Sequence, residues 1–194
     1  MKALEEKILN NGVAIGTEIV KVDNFLNHQI DVRFLEEIGA EFARLFEKNK
    51  PNKILTVEAS GIAIAFAVSP KMDYKPVVFA KKTSPNTMVG DFYSAEAKSF
   101  TKGTVSQLRV SKDFISEGDR VLIVDDFLAR GEAGVALVNI VRMAGAEVVG
   151  FGAVIEKKFQ GGAQKLRDMG VEVHSLAVVE KIEDGVITFG IDPE

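Results

Sequence analysis

The stretch that decides the fold is Val121-Leu-Ile-Val-Asp-Asp-Phe-Leu-Ala-Arg-Gly-Glu-Ala133. Its first four residues are apolar and mostly β-branched, which is typical of a buried strand. Asp125 and Asp126 follow them, and the small residues around Gly131 come directly before apolar residues at helical spacing. We therefore expect a strand, a polar loop at its carboxyl end, and a helix.

The segments on either side repeat this alternation. Phe34, Ile38 and Phe42 stand at helical spacing after Asp31, which is a suitable N-cap. The predicted helices are 31–48, 61–68, 133–144 and 163–169, and the predicted buried strands are 54–57, 77–80, 121–124, 148–155, 171–179 and 186–189. Buried strands that alternate with helices predict an α/β fold, with a mostly parallel twisted sheet flanked by helices.

Residues 81–104 do not follow this pattern. They are rich in Lys, Ser, Thr and Gly, and they contain Phe and Tyr without a continuous apolar run. Loops of this length between regular elements are usually functional or disordered. We expect either a long mobile loop or a weak hairpin that extends from the body.

Composition excludes several kinds of chemistry. The chain has 24 basic and 28 acidic residues, a net charge of −4, no Cys and two His. Without Cys, thiol catalysis, disulfides and iron–sulfur clusters are ruled out, and two His disfavour a histidine metal site. The acidic balance disfavours nucleic-acid and membrane binding. Because no apolar run is typical of a signal peptide or a membrane span, we expect a cytoplasmic protein.

Polar sequence follows three of the predicted strands. Glu58-Ala-Ser-Gly61 comes after the first, Asp125 to Ala133 after the third, and Glu156-Lys-Lys158 after the fourth. In parallel sheets, ligands bind beyond the carboxyl ends of the strands. These segments together predict one crevice with carboxylates, helix-start amides and ammonium groups.

The loop from Ala129 to Ala133 is the most specific of these segments. Backbone N–H groups of a small-residue loop before a helix favour a phosphate. No Lys-Ser/Thr pair follows Gly131, so the loop is not a P-loop, and no G-x-G-x-x-G supports a dinucleotide site. Because the acidic pair upstream suits sugar hydroxyls or Mg²⁺, a ribose 5-phosphate is the expected ligand.

The same residues carry a family resemblance. Val121 to Ala133 resembles the motif that binds phosphoribosyl diphosphate (PRPP) in the type I phosphoribosyltransferases. Three further stretches resemble the branch of that family that uses xanthine, namely Lys21-Val-Asp-Asn-Phe-Leu-Asn-His-Gln29, Glu58-Ala-Ser-Gly-Ile-Ala63 and Val154-Ile-Glu-Lys-Lys-Phe-Gln160. The resemblance covers nearly the whole chain.

That resemblance implies an activity and a set of site residues. The reaction is transfer of the phosphoribosyl group from PRPP to xanthine, with Mg²⁺ bound mainly through PRPP. The implied catalytic residues are Asp125 and Asp126, at the ribose hydroxyls. The implied PRPP-binding residues are Ala129, Arg130, Gly131, Glu132 and Ala133 at the 5′-phosphate, and Ala59, Ser60 and Gly61 at the pyrophosphate. The implied purine-binding residues are Val20, Asn27, Phe127 and Lys157, the last donating to O6.

It also implies an architecture. Residues 1–194 would form one domain, with a hood from about residues 1–30 and parts of the C-terminal region. The segment 81–104 would be a mobile loop that closes over the substrates, and the enzyme would be a homodimer. PRPP and xanthine would be the partners, with no nucleic acid and no membrane.

One position departs from the family pattern. Many purine-specific members carry Asp where this chain has Ala129, so no general base is assigned, and we hypothesise that the site binds an anionic xanthine. Three alternatives stay open: guanine or hypoxanthine as the base, a PRPP-sensing regulator without transferase activity, and a simple binding module. For Arg130, a phosphate contact and a plain surface role are both open.

Overall fold

The computed structural model describes residues 1–82, 90–99 and 104–191. Its helices are α1 (Lys2–Asn11), α2 (Val32–Phe46), α3 (Ser60–Val68), α4 (Glu132–Met143) and α5 (Gly162–Asp168). Its strands are β1 (Val13–Ile15), β2 (Ile19–Lys21), β3 (Lys53–Val57), β4 (Val77–Ala80), β5 (Phe92–Ser99), β6 (Thr104–Ser111), β7 (Arg120–Leu128), β8 (Glu147–Lys157), β9 (Val173–Glu183) and β10 (Val186–Gly190). Short π and 3₁₀ turns join several of them.

A six-stranded sheet in the order β10-β9-β8-β7-β3-β4 forms the centre of the described chain. The strands from β9 to β4 run parallel, and only β10 pairs antiparallel, as the hairpin partner of β9. The predicted mostly parallel α/β fold is therefore confirmed.

Helices cover both faces of this sheet. On β7, Leu122 packs in the core layer that holds α2 and α3, and its neighbour Ile123 packs in the layer that holds α4. This follows from the two-residue period of a strand, which sends successive side chains to opposite faces. Runs such as Val121 to Val124 are continuously apolar because both faces are buried.

Glycines set how closely α2 approaches the sheet. Gly150 and Gly152 on β8 face the rings of Phe46 and Phe42. A Cβ atom on Gly152 would lie only 2.7 Å from the Cε1 atom of Phe42, so the ring occupies the space of the missing side chain. At the other end of the helix, the Asp31 carboxylate accepts the Phe34 N–H, which confirms the predicted N-cap.

The first 30 residues form a small unit beside the sheet. It consists of α1, the β1–β2 hairpin and a π turn over Asp23–Asn27. Buried Leu4 and Ile8 of α1 join the same core layer as α2, and the Met1 ammonium donates to the Leu176 carbonyl on β9. That these residues form the expected hood stays a prediction.

Two local predictions need correction, and the hairpin that was one of the two expectations for 81–104 is found. The strand predicted at 121–124 continues to Leu128, so the acidic pair lies on the strand itself and not in a loop. The strand at 77–80 is at the edge of the sheet, and of its residues only Ala80 is buried. The segment 81–104 contains a hairpin, in which β5 pairs with a strand that extends to Ser111, and its residues 83–89 and 100–103 lie outside the described chain.

Candidate active site

A cleft of about 770 Å³ opens at the carboxyl ends of β7 and β8. The predicted crevice requires the ends of β3, β7 and β8 to be neighbours, and the order of the sheet makes them so. The cleft is lined by Ile15, Gly16, Thr17, Glu18, Ile19, Asp125, Phe127, Leu128, Ala129, Arg130, Gly131, Glu132, Ala133, Gly134, Phe151, Lys157 and Gln160.

Asp125 is a buried carboxylate at the floor of this cleft, with 6% of its surface exposed. Its Oδ1 atom accepts the Asp126 N–H at 3.0 Å. Burial raises the pKa of Asp125 well above its usual range, the Asp126 charge adds to this, and the Lys82 charge opposes it. The carboxylate is therefore held where its negative charge is poorly solvated.

Asp126 belongs to a different group of contacts. The Asn27 side-chain amide donates to the Asp126 carboxylate and, at 3.3 Å, to the Ser60 hydroxyl. The Asn27 Oδ1 atom is buried and has no hydrogen-bond partner among the described residues. These contacts join the N-terminal unit to the start of α3 and the end of β7.

The predicted phosphate loop consists of the three residues between β7 and α4 and of the first two residues of α4. Gly131 is the N-cap of α4 with a φ of 79°, a conformation that favours glycine. The first backbone N–H groups of a helix have no partner within it, and they carry the positive end of the helix dipole. Because the loop lines the cleft, these groups can bind an anion there.

Lys157 and Phe127 lie side by side in the lining of the cleft. The Lys157 Nζ atom donates to the Glu18 carbonyl oxygen at 2.8 Å and lies 5.4 Å from the centroid of the Phe127 ring. Burial lowers the pKa of Lys157, and the Glu18 charge partly offsets this. An ammonium group beside an aromatic face suits a flat, electron-rich ligand.

The other predicted residues surround this cleft without lining it. Val20 is buried in the core layer that holds α2. Asn27 is connected to the site by its hydrogen bonds to Asp126 and Ser60. Ala59 precedes α3 as its N-cap, and a Cβ atom on Gly61 would lie 3.3 Å from the Asp125 Oδ1 atom. The structure therefore places α3 against the acidic pair, whereas Val20 faces the core.

Several residues near the site were missed by the sequence reasoning. The β1–β2 turn supplies Ile15 to Ile19 to the lining, and Gln160 contributes from beyond β8. Lys82 acts on the pKa of Asp125. Gly16, with a φ of 59° between two β-branched runs, was a usable hairpin signal, but nothing in the sequence locates that hairpin at the cleft.

Comparison with known proteins agrees with this architecture. Residues 22–191 match the family model described as the phosphoribosyl transferase domain. Curated relatives include xanthine phosphoribosyltransferase 1 of Clostridium perfringens, 52% identical over 97% of this chain and 100% of that protein. Xanthine phosphoribosyltransferase of Clostridioides difficile is 51% identical over the same shares.

Solved structures show the same fold. Adenine phosphoribosyltransferase from Rhodothermus marinus superposes with a TM-score of 0.73, at 22% identity over 92% of this chain and 100% of that chain. The enzyme from Trypanosoma brucei gives 0.74, at 18% identity over 90% and 78%. Because the family model matches residues 22–191 and relatives about 50% identical match over nearly the full length, the chain belongs to the phosphoribosyltransferase family.

Proposed function

We propose that this chain transfers the 5-phosphoribosyl group of PRPP to xanthine, forming xanthosine 5′-monophosphate and pyrophosphate, as an enzyme of purine salvage. A carbon–nitrogen bond forms at the ribose C1′ as its bond to the pyrophosphate oxygen breaks. The observation that carries the proposal is the cleft in which Asp125, the loop Ala129–Ala133 and Lys157 meet. The names of relatives at about 50% identity support xanthine as the base.

The acidic pair would bind the ribose hydroxyls and stabilise the reacting sugar. Ribosyl transfer passes through a cationic, oxocarbenium-like ribose. Burial raises the pKa of Asp125 because its negative charge is poorly solvated. A positive charge that develops on the ribose beside this carboxylate would therefore interact with it more strongly than in water. That gain is larger in the transition state than in the ground state, which is the condition for catalysis.

The 5′-phosphate and the pyrophosphate of PRPP would each lie at the N-terminus of a helix. Ala129, Arg130, Gly131, Glu132 and Ala133 would hold the 5′-phosphate at α4. Ala59, Ser60 and Gly61 would hold the pyrophosphate at α3. Asp125 and Asp126 fit a Mg²⁺ ion held mainly by PRPP, because Mg²⁺ usually takes one or two carboxylates plus substrate oxygens. Bound there, the ion would neutralise the charge of the leaving pyrophosphate.

The purine would lie between Phe127 and the β1–β2 turn, with Lys157 donating to O6. Asn27 would complete the base site from the N-terminal unit, and Val20, whose side chain is buried in the core, would hold that unit in place. Because Ala129 provides no carboxylate, we propose that xanthine binds as an anion and that Lys157 stabilises it. The partial burial of Lys157 strengthens that attraction by excluding water.

We also propose a cytoplasmic homodimer. The loop expected to close over the substrates, 81–104, includes residues 83–89 and 100–103, which lie outside the described chain. Helix α3 is our candidate for the dimer interface. Its residues from Gly61 to Val68 include no charged side chain, yet Phe66 is 72% exposed. A helix that is apolar all round is normally buried. No helix within the described parts of the chain has the length and apolarity to cross a bilayer.

A guanine or hypoxanthine substrate is the second candidate, because both bases share the O6 atom that Lys157 would contact. A PRPP-sensing regulator that binds nucleic acid is disfavoured by the net charge of −4.

Product analysis tests the proposal. Purified protein with Mg²⁺, PRPP and xanthine should form xanthosine 5′-monophosphate and pyrophosphate in equal amounts, as measured by chromatography. Ribose 5-phosphate in place of PRPP is the control and should give no nucleotide, because it lacks the leaving group. Absence of nucleotide with PRPP would show that the chain is not this transferase.

A further inference from the structure

The start of α5 packs backbone to backbone against the phosphate loop. The Gly162 N–H donates to the Ala129 carbonyl oxygen at 3.0 Å. A Cβ atom on Gly162 would overlap that oxygen and would lie 2.6 Å from the Gly131 nitrogen and 2.9 Å from the Arg130 carbonyl carbon. These are main-chain atoms, so none of them can rotate away as a side chain does.

The close approach explains why glycine occupies position 162. Gly162 is the first residue of α5 and is not among the glycines with a positive φ, so its backbone conformation does not require glycine. Glycine is also a poor helix former. The remaining reason is space, because any side chain would push the loop and α5 apart.

The contact is tight from both sides. A Cβ atom on Gly131 would lie 2.9 Å from the Gly162 Cα atom, and the Lys165 ammonium on α5 pairs with the Glu132 carboxylate on α4 at 2.8 Å. Helix α5 therefore contacts the phosphate loop at Ala129 and Gly131 and the helix that follows it at Glu132. The loop has little room to move away from this support.

The same support is connected to the base site. Lys157 ends β8, and one short turn, Lys158–Gln160, separates it from Gly161 and Gly162. We propose that Gly162 is a positioning residue, which fixes the 5′-phosphate loop at the distance from Lys157 that a bound nucleotide requires. This inference rests on the proposed function, because it needs the loop to bind the 5′-phosphate of PRPP.

The Gly162→Ala variant tests this role with two small ligands that probe separate ends of the site. Ribose 5-phosphate reports on the loop at α4, and inorganic pyrophosphate reports on the loop at α3. A displacement of the loop by about 1 Å should weaken ribose 5-phosphate binding and raise the KM for PRPP by about 10- to 100-fold. Pyrophosphate binding should stay unchanged, and titration calorimetry measures both affinities.

Gly39→Ala is the matched control. A Cβ atom there would overlap the Ala67 carbonyl oxygen and lie 2.6 Å from the Ala67 carbonyl carbon, a similar main-chain overlap between α2 and α3. We expect this variant to lower Tm without weakening ribose 5-phosphate binding. The control separates general destabilisation from displacement of the phosphate loop.

The possible outcomes are distinct. Unchanged ribose 5-phosphate binding in Gly162→Ala would overturn the positioning role. A variant that fails to fold, or that loses pyrophosphate binding equally, would also overturn it, because Gly162 would then support the fold as a whole. If the wild-type protein bound neither ribose 5-phosphate nor PRPP, the proposed function itself would fail.

Discussion

The Nζ atom of Lys157 lies 5.4 Å from the centroid of the Phe127 ring, and both side chains line one cleft. The two residues come from the carboxyl ends of the neighbouring strands β8 and β7. Lys157 also donates to the Glu18 carbonyl oxygen, so this side chain connects β8 of the central sheet to the β1–β2 turn. This pairing defines the side of the cleft where we place the purine.

Lys157→Met should reduce xanthine binding selectively. The variant keeps an apolar stem beside Phe127 and removes the ammonium group that we propose as the donor to the purine. Loss of one charged hydrogen bond should raise the KM for xanthine by about 10- to 100-fold. Steady-state kinetics with xanthine varied measures this, and the KM for PRPP should stay nearly constant.

Lys158→Met is the matched control, because Lys158 is the next residue and pairs with Glu180 on the surface. It should behave as the wild type. Equal losses in the two variants would indicate a general loss of positive charge, and an unchanged KM in Lys157→Met would contradict the purine contact.

Replacing the acidic pair should lower activity without weakening the fold. We expect Asp125→Asn with Asp126→Asn to lower kcat by about 100-fold or more, since both carboxylates that we place at the ribose would lose their charge. The pKa of Asp125 is raised in the folded state, so its ionisation costs stability as pH rises above the unfolded value of about 3.8. At pH 7 the single variant Asp125→Asn should therefore have an equal or higher Tm.

Kinetics and thermal unfolding of the same preparations check both expectations. Glu183→Gln is a control, because Glu183 is an exposed carboxylate paired with Lys181 on the β9–β10 hairpin. It should leave kcat unchanged. Normal turnover in the double variant would show that the acidic pair is only structural.

The pH dependence of kcat/KM should have an acidic limb set by ionisation of the purine and an alkaline limb set by Lys157. If the enzyme uses anionic xanthine, kcat/KM should rise with ionisation of the free base. On the alkaline side kcat/KM should fall as Lys157 loses its proton. This fall should begin at a lower pH than for an ordinary lysine, because burial lowers the pKa of Lys157. A pH profile for xanthine and for hypoxanthine measures both limbs.

The acidic limb should shift when the base is exchanged, and the alkaline limb should disappear in Lys157→Met. An acidic limb that stays fixed for both bases would instead report a protein group and would contradict the anionic-base hypothesis.

Phe66→Asp should produce monomers if α3 forms the dimer interface. A charge in a covered apolar surface is costly to bury. Light scattering after gel filtration should give twice the chain mass of 21.1 kDa for the wild type and the single mass for the variant. Val186→Asp, at an exposed apolar position on β10, should stay dimeric. A monomeric wild type would contradict the homodimer.

Much of the fold could be predicted because its signals are local. Runs such as Val121 to Val124 and the cap at Asp31 depend on neighbours in sequence. The exact end of β7 could not be read this way, because Asp125 and Asp126 are polar residues on a strand. Pairing with β8 extends the strand through them, and that pairing is not local.

The site shows the same limit. The loop before α4 was predictable from its small residues and the helix after it. In contrast, the β1–β2 turn reaches the cleft only through tertiary packing, and the Lys157 bond to Glu18 joins residues that are distant in sequence. The support of the loop by Gly162 was also hidden, since the sequence does not show which main chain lies against a glycine.

The ranking of bases tests the central claim most directly. Pyrophosphate release would be measured with Mg²⁺, PRPP and, separately, xanthine, guanine, hypoxanthine, adenine and orotate. We predict the highest kcat/KM for xanthine. Faster turnover with guanine or hypoxanthine would contradict the assigned substrate, and absence of turnover with all five bases would contradict the enzyme itself.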